Sequence, residues 1–291
     1  MSDDPVWLNG SSSRCIDPFD RGFLLGDGVF DTLVAFGGIP FAGEDHLKRL
    51  GRHAAEIGVA FDLTAVRDGW TSVLSRAGAE HVILRTTVTR GKTERGLWPR
   101  SQAQPTVVVS ASPWNPRLLR RDVVLIVSAI PRNADSPASR LKTLGYLDNV
   151  LAAREAAERG ADDALFLTHT GHVACSTIAN IFVIQGSNLV TAPLADGVLS
   201  GIVRDRVLKA APAVGLRPFE RSLRLEDLRG ARSVFLTNSV RFISPVRTIE
   251  GRALHADGEG DEVCTALQNA VSGQVLQECG VTLPLPERRR A

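Results

Sequence analysis

The amino-acid sequence predicts an α+β fold with two domains, a small N-terminal α+β domain over residues 1–115 and a larger, β-rich domain over residues 116–291. Three observations support this prediction. A chain of 291 residues has the length of two domains of ordinary size. Strand-like runs occur in both halves, and the helical patterns are segregated between them instead of alternating with each strand. Residues 113–121 contain two prolines between the two groups of elements, so we interpret them as the linker.

In the N-terminal half, hydrophobic periodicity predicts two helices and four strands. A helix over residues 43–58 carries Leu47, Leu50 and Ala54 at spacings of three and four, which places them on one face. Gly37 and Gly38 predict a hairpin turn, because such turns need positive φ angles. The other predicted elements are a helix at 64–77 and strands at 6–8, 29–36, 81–89 and 106–112.

In the C-terminal half, strands again outnumber helices. The helix that begins at Gly201 matters for function, because the free N–H groups of Ile202 and Val203 and the helix dipole attract an anion. Strands are predicted at 122–130, 164–168, 172–184, 233–237 and 241–249, and helices at 148–159, 201–211, 226–228 and 257–279.

Composition excludes several functional classes. The net charge of +2 gives no indication of nucleic-acid binding, and the cluster Arg288, Arg289 and Arg290 is interpreted as a solvated tail. The sequence contains no apolar run of about 18 residues, so we expect no membrane span. The acidic N-terminus lacks the apolar core of a secretion signal. The four cysteines have no CxxC spacing, which disfavours a metal site or a disulfide framework and favours a reducing cytoplasm.

Residues 140–157 contain the strongest candidate for covalent chemistry. Lys142 is one of only four lysines in a chain with 34 Lys plus Arg, and Tyr146 is the only tyrosine. Arg cannot be deprotonated, whereas a Lys whose pKa is lowered can act as a nucleophile. An amine with a phenol four residues later, just before an apolar helix, suits an imine-forming Lys with a hydrogen-bond partner for a cofactor. The alternative is a surface Lys beside a core Tyr.

Seven motifs in order resemble those of the class IV, or fold type IV, pyridoxal-phosphate enzymes. They are DRGFLLGDGVFDTL, HLKRL, TRGKTERG, KTLGYLDNVLA, ANIF, DGVLSGIVR and LTNSVRFISPV, and they extend over nearly the whole chain. The family includes branched-chain and D-amino-acid aminotransferases and aminodeoxychorismate lyase.

The resemblance implies a homodimeric enzyme that binds pyridoxal 5′-phosphate and uses a Lys142 Schiff base. It would move an amino group between an amino acid, or an amine, and a 2-oxo acid. The resemblance also implies which residues hold the cofactor: Arg49, Ile202, Val203, Asn238 and Ser239 for the phosphate, and Tyr146 for the ring oxygen. Without the resemblance, Arg49 could equally be an exposed residue paired with Glu56.

The position expected to face the ring nitrogen departs from the family pattern. Family members usually carry Glu there, and this chain has Cys175. A carboxylate keeps the pyridine ring protonated and makes it a stronger electron sink, whereas a thiol is a poor substitute unless it is deprotonated. The enzyme could therefore work with a weaker sink, or it could bind the cofactor with transamination lost.

The candidate substrate-binding residues also match the family pattern only in part. Arg95 falls where D-amino-acid aminotransferases hold a carboxylate, and Phe30 and Leu97 replace the Tyr and His of those enzymes. Phe30 and Leu97, together with Phe36 and Trp98, would form an apolar lining. Aminodeoxychorismate lyase, which eliminates pyruvate, remains an alternative to the aminotransferase.

Overall fold

The computed structural model describes residues 4–98, 103–254 and 259–283. Two compact units can be distinguished within these residues. The first comprises the described parts of residues 1–114, 141–145 and 278–281, and the second comprises the rest. Residues 141–145, which include Lys142, therefore group with the first unit, although the predicted boundary at 115/116 assigned them to the larger domain. The arginine cluster 288–290 lies outside the described residues.

The first unit contains an antiparallel sheet of five strands in the order β1-β5-β4-β2-β3. Its strands are β1 (Val6–Leu8), β2 (Gly28–Phe36), β3 (Ile39–Pro40), β4 (His81–Thr89) and β5 (Thr106–Pro113), and its helices are α1 (Arg21–Leu25), α2 (Gly43–Glu56) and α3 (Leu63–Leu74). The turn between β2 and β3 has positive φ at Gly37 and Gly38, as the sequence predicts.

The apolar stripe of α2 is confirmed. Leu47, Leu50 and Ala54 are buried together with residues of β2 and β4, such as Leu33 and Leu84. Because successive residues of a strand point to opposite faces, the even-numbered residues of β2 point away from this core. One face of β2 is thereby available for a site.

The second unit contains the larger sheet and the remaining helices. Its strands are β6 (Val123–Val127), β7 (Asp163–Leu167), β8 (Val173–Ser176), β9 (Asn180–Gln185), β10 (Asn188–Thr191), β11 (Arg217–Glu220), β12 (Ser233–Asn238), β13 (Phe242–Ile249) and β14 (Arg252–Ala253). Its helices are α4 (Pro137–Arg140), α5 (Leu147–Glu158), α6 (Ile202–Ala210), α7 (Leu225–Arg229) and α8 (Glu259–Cys279), the last residues of which group with the first unit.

Six strands of the second unit form a closed ring. The order is β9-β12-β13-β6-β7-β8, and a pairing of Cys175 with Asn180 joins β8 back to β9. Apolar side chains such as Leu125, Ile181 and Val234 fill one face of these strands. Ala152 and Ala156 of α5 pack against the other face, in a cluster that includes Cys175.

The α+β class is confirmed, and most predicted elements are present with boundaries shifted by a few residues. The strand predicted at 172–184 is wrong as one element, because the chain turns between Ser176 and Asn180. There the Ser176 hydroxyl accepts the N–H of Ala179 at 3.1 Å, and the Thr177 N–H is donated to the Ala164 carbonyl at 3.1 Å. No helix among the described residues has the length and apolarity needed to cross a membrane.

Candidate active site

The segment that carries Lys142 is held in place by backbone hydrogen bonds to β2. The Phe30 N–H donates to the Lys142 carbonyl at 2.9 Å, and the Leu144 N–H donates to the Gly28 carbonyl at 3.0 Å. The Lys142 N–H donates to Nδ1 of His53 at 3.1 Å. Burial, followed by the charge of Arg49, lowers the pKa of His53 to about 4, so its ring is a neutral acceptor. Lys142 thus has a fixed backbone position although it belongs to no helix or strand.

The Lys142 amine lies against the aromatic ring of Phe30. Its Nζ is 4.1 Å from the ring centroid, and Cζ of Arg85 is 3.8 Å from the same centroid. Burial lowers the pKa of Lys142 to about 7, and the positive charges of Arg49 and Arg85 act in the same direction, while Asp31 opposes them. A large fraction of this amine is therefore neutral, and nucleophilic, near neutral pH.

A buried carboxylate organises the cations near Lys142. Asp31 Oδ2 accepts from Nε of Arg49 at 2.8 Å, and Oδ1 accepts from its second guanidinium nitrogen at 2.7 Å. Nδ1 of His46 lies 2.7 Å from the same Oδ1. Burial alone would raise the pKa of Asp31, but Arg49 and His46 outweigh it and hold this pKa far below its usual range. Arg49 is thus fixed by two hydrogen bonds, and the alternative in which it is an exposed partner of Glu56 is wrong.

The pKa of Lys142 predicts its reactivity towards a small aldehyde. In reductive methylation of the cofactor-free protein, the rate at Lys142 should reach half its maximum near pH 7, because the protonated amine is unreactive below that pH. Lys92 and Lys209, whose side chains are 61% and 74% exposed, serve as internal controls for access of the reagent. Mass spectrometry of peptides measures all three. A midpoint for Lys142 near the ordinary lysine value of about 10.4 would contradict its assigned environment.

In the second unit, a row of polar side chains crosses three adjacent strands. Cys175 of β8 is directly opposite Asn180 of β9, and Asn180 is directly opposite Thr237 of β12. Directly opposite residues point to the same face of a sheet, with Cα atoms about 4.5–5.5 Å apart. Thr237 is buried, and its hydroxyl has no hydrogen-bond partner among the described residues. The row therefore holds an unsatisfied polar group that a ligand can use.

The N-terminus of α6 packs beside this row. Gly201 is the N-cap, and no side chain caps the helix. A Cβ at Gly201 would lie 2.2 Å from Oδ1 of Asn180, so only glycine fits the contact between this helix end and β9. Asn180 also donates to the Leu199 carbonyl at 2.9 Å, which positions the chain before the helix. The N–H groups of Ile202 and Val203 begin a helix of nine residues and suit an anion.

The other predicted cofactor residues lie at turns and helix ends of the second unit. Asn238 ends β12, and its Oδ1 accepts from the N–H groups of Val240 and Arg241 at 2.9 and 2.8 Å. Ser239 is half-buried in the turn that this bond closes, and Tyr146 is the N-cap of α5. Their contacts with a cofactor stay predictions.

Cys175 lies in an apolar environment. Burial raises the pKa of this thiol, and Arg132 only partly offsets that effect. The side chain is a member of a cluster with Phe166, Ala152 and Ala156. Cys175 is therefore a neutral thiol at neutral pH and cannot replace the negative charge of a carboxylate.

The predicted substrate residues of the first unit are not brought together. Arg95 and Leu97 lie in the exposed loop after β4, and Leu97 is 86% exposed. The guanidinium of Arg21 holds this loop by donating hydrogen bonds to the carbonyls of Gly96 and Leu97 at 2.6 and 2.7 Å. The roles of Arg95 and Leu97 as substrate ligands stay predictions.

The expected apolar lining needs one correction. Phe36 shares a strand with Phe30, but six residues at about 3.3 Å each place it roughly 20 Å away. There it is fully buried, with its ring centroid 5.1 Å from that of Trp114 and 5.4 Å from that of His81. Phe36 is thus part of the interior of the first unit and does not share a pocket wall with Phe30.

Four residues of these two groups were not singled out by sequence analysis: Asp31, His53, Arg85 and Asn180. Strand alternation offers one signal, because Arg85 pairs with Thr32 and so shares a sheet face with Phe30. For Asp31, an ionised residue inside an apolar strand next to a helix with His46 and Arg49 was a signal that could have been used.

The chain is similar over most of its length to known proteins. The family described as amino-transferase class IV matches residues 28–249. A putative branched-chain-amino-acid aminotransferase of Methanocaldococcus jannaschii is 33% identical over 265 residues, which cover 88% of this chain and 91% of the relative. Aminodeoxychorismate lyase of Bacillus subtilis is 28% identical over 271 residues, covering 90% and 92%.

A solved structure agrees with these sequence matches. The pyridoxal-phosphate-bound form of a hypothetical aminotransferase from Mycobacterium tuberculosis superimposes with a TM-score of 0.81 at 25% identity, over 92% of this chain and 99% of that one. The family match covers more than half of the chain, and the fold and the sequence relatives agree with it. The chain therefore belongs to the class IV aminotransferase family and has its α+β, type IV fold.

Proposed function

We propose that this aminotransferase uses pyridoxal 5′-phosphate to move an amino group between a carboxylate-bearing amino acid and a 2-oxo acid. The observation that carries the proposal is the environment of Lys142, a half-buried amine whose pKa is lowered to about 7 by burial and by neighbouring arginines. When bound, the cofactor supplies an aldehyde for this amine and an electron-withdrawing ring.

The residues present fit most of what the cofactor needs. In the first unit, Lys142 offers the amine, and Asp31 holds the guanidinium of Arg49 in one orientation suited to a phosphate. In the second unit, the uncapped N-terminus of α6 and the unsatisfied hydroxyl of Thr237 suit an anion. Ser239 adds a hydroxyl and Tyr146 a phenol by resemblance. Cys175 is the one residue that does not fit the usual pattern.

The low pKa of Lys142 suits two steps at neutral pH. A neutral amine can form the bond to an aldehyde carbon, which a protonated amine cannot. Once the amine of a substrate has displaced it, the Lys142 amine can accept a proton from the substrate carbon and deliver that proton to a different atom. A catalytic base works best when its pKa is near the working pH, and about 7 meets that condition.

Arg85 supports a substrate with a carboxylate. It is exposed on β4, and its guanidinium stacks on the ring of Phe30, the same ring that Lys142 contacts. A guanidinium can hold a carboxylate through two parallel hydrogen bonds, and Phe30 offers an apolar surface beside it. Arg95, in the exposed loop, is the alternative ligand for that carboxylate.

A panel of matched donors tests this function. D- and L-amino acids, and the amines that lack only their carboxylate, are mixed with the holoenzyme without an acceptor, and release of 2-oxo acid or ketone is measured. We expect conversion of amino acids of one configuration and little conversion of the matched amines. Release of pyruvate from aminodeoxychorismate without an added 2-oxo acid would instead support the lyase alternative. No conversion of any donor by cofactor-loaded protein would contradict both enzymes and support a cofactor-binding protein.

We also propose that the active form is a homodimer in the cytoplasm. Ile16, Phe19, Phe23, Leu24 and Leu25 expose 42–74% of their surface around α1 of the first unit, and such patches are typical of protein–protein interfaces. The four cysteines, all of which lie in the part of the chain that the structure describes, form no disulfide there, which accords with a reducing compartment.

A further inference from the structure

The side-chain row at the N-terminus of α6 defines what a ligand bound there would meet. An anion on the N–H groups of Ile202 and Val203 lies beside Asn180 and the unsatisfied hydroxyl of Thr237. Cys175 is the next member of the row, directly opposite Asn180. The remainder of a ligand anchored by its phosphate is thereby brought towards the thiol.

A β-bulge directs the Cys175 side chain. Phe166 of β7 pairs with Cys175, but the next residue, Leu167, pairs with Val173, so Ala174 is an extra residue on β8. Such bulges bend a strand and reorient a side chain, and they are frequent beside active sites. Cys175 therefore points into the cluster formed with α5, on the face of the sheet that also carries Asn180 and Thr237.

Asp163, the carboxylate whose charge acts on Cys175, cannot take the place of a Glu at position 175. Asp163 lies three residues before Phe166 on β7, so strand alternation directs it to the opposite face. There its Oδ1 accepts from the Ala164 N–H at 2.8 Å and from the Thr177 hydroxyl, and it lines a small pocket with Leu236 and Ser244. Glu155 of α5 is bound to the Ser128 hydroxyl at 3.1 Å and to Arg159 at 3.6 Å.

The larger of the two charges that act at Cys175 is the positive charge of Arg132, and the negative charge of Asp163 opposes it. The Arg132 guanidinium is fixed by the carbonyls of Gly197 and Ser139, at 2.9 and 2.5 Å, and its Cζ is 6.0 Å from the ring centroid of Phe166. Phe166 is the direct neighbour of Cys175 across the strands. A pyridinium beside Cys175 would be buried near a guanidinium, with Asp163 directed to the opposite face of the sheet, and burial and the guanidinium both oppose protonation of the ring.

We propose that Cys175 meets the pyridine nitrogen of pyridoxal phosphate as a neutral S–H donor, and that this nitrogen stays unprotonated in the holoenzyme. The inference rests on the proposed function, since it concerns the same cofactor. Its consequence is a ring that withdraws electrons less strongly than the carboxylate-paired ring of the usual family pattern. Removal of the proton from the substrate carbon then depends more on the Lys142 base and less on the ring.

The test is ¹⁵N NMR of the holoenzyme loaded with cofactor labelled at the ring nitrogen. We expect the wild type and Cys175→Ser to show the chemical shift of an unprotonated pyridine across the neutral pH range. Cys175→Glu should shift the signal far upfield, to the position of a pyridinium. Because Glu at this buried position can disturb folding, the wild-type signal alone also decides the matter.

The outcomes separate this inference from the proposed function. A pyridinium signal in the wild type, with the cofactor covalently bound, would overturn the role of Cys175 and leave the proposed function intact. Absence of any yellow covalent complex would overturn both. An unprotonated signal in the wild type that Cys175→Glu converts to pyridinium would establish that the residue at 175 sets the protonation state of the ring.

Discussion

Replacing Lys142 by Ala should lower the rate of amino transfer by roughly 10³-fold or more, because the change removes both a nucleophile and a base that alone contributes about 10²–10⁴-fold. The yellow absorbance of the covalent cofactor complex should disappear with it. Steady-state kinetics with the best donor of the panel and an absorbance spectrum of the reconstituted protein measure the two effects.

Two matched variants separate chemistry from charge and from general damage. Lys142→Arg keeps a positive charge but cannot form the covalent bond, so it should be as inactive as Lys142→Ala. Lys209→Ala removes an exposed lysine of α6 that pairs with Asp205, and should keep nearly full activity. If Lys142→Ala kept the yellow complex and most of the activity, the assignment of the amine would be wrong.

Local patterns predicted most elements because local chemistry determines them. The strand His81–Thr89 was predicted with the boundaries found, since its alternating apolar residues face a core that α2 and α3 cover. The exposed strand Arg217–Glu220 was missed, because all four of its side chains are exposed and no burial pattern marks it. The break at Thr177 was missed as well, because it depends on a bond to Asp163, 14 residues earlier.

The candidate site shows the same division between local and long-range information. An unusual Lys near a Tyr, and a glycine at a helix start, could be identified in the sequence. The low pKa of Lys142 could not, because it results from the packing of a separate segment against β2 beside Arg49 and Arg85. Proximity of His46 and Arg49 was predictable from helical spacing, and their nitrogens lie 3.4 Å apart. Their shared anion, Asp31, required the tertiary structure.

Loss of the Asp31 carboxylate, which His46 and Arg49 share, should have a large effect on stability. Asp31→Asn leaves the guanidinium of Arg49 buried without a counter-charge, and removing one member of a buried ion pair costs about 3–5 kcal/mol. We expect the free energy of unfolding in urea to fall by about 3 kcal/mol. Asp68→Asn, an exposed change on α3 of the same unit, should alter it by no more than about 0.5 kcal/mol.

A double variant tests whether the loss comes from the stranded charge. Asp31→Asn combined with Arg49→Met removes both charges, so it should be more stable than the sum of the single changes indicates. Additive losses of unfolding free energy would show that the contact between Asp31 and Arg49 is not the source of the lost stability. A loss in Asp31→Asn as small as that of Asp68→Asn would contradict the buried ion pair itself.

The dependence on pH follows from the sign of the Asp31 shift. The pKa of Asp31 is lower in the folded protein than in the unfolded chain. Its contribution to stability is therefore complete above the pKa of the unfolded state and declines as the pH falls from there towards the pKa of the folded state. The stability difference between wild type and Asp31→Asn should therefore narrow below about pH 4, by about 1.4 kcal/mol for each pH unit. Urea unfolding of both proteins at several acidic pH values measures it. A difference independent of pH would mean that Asp31 stabilises the unit by packing alone, and Arg49 would then lack the fixed orientation proposed for phosphate binding.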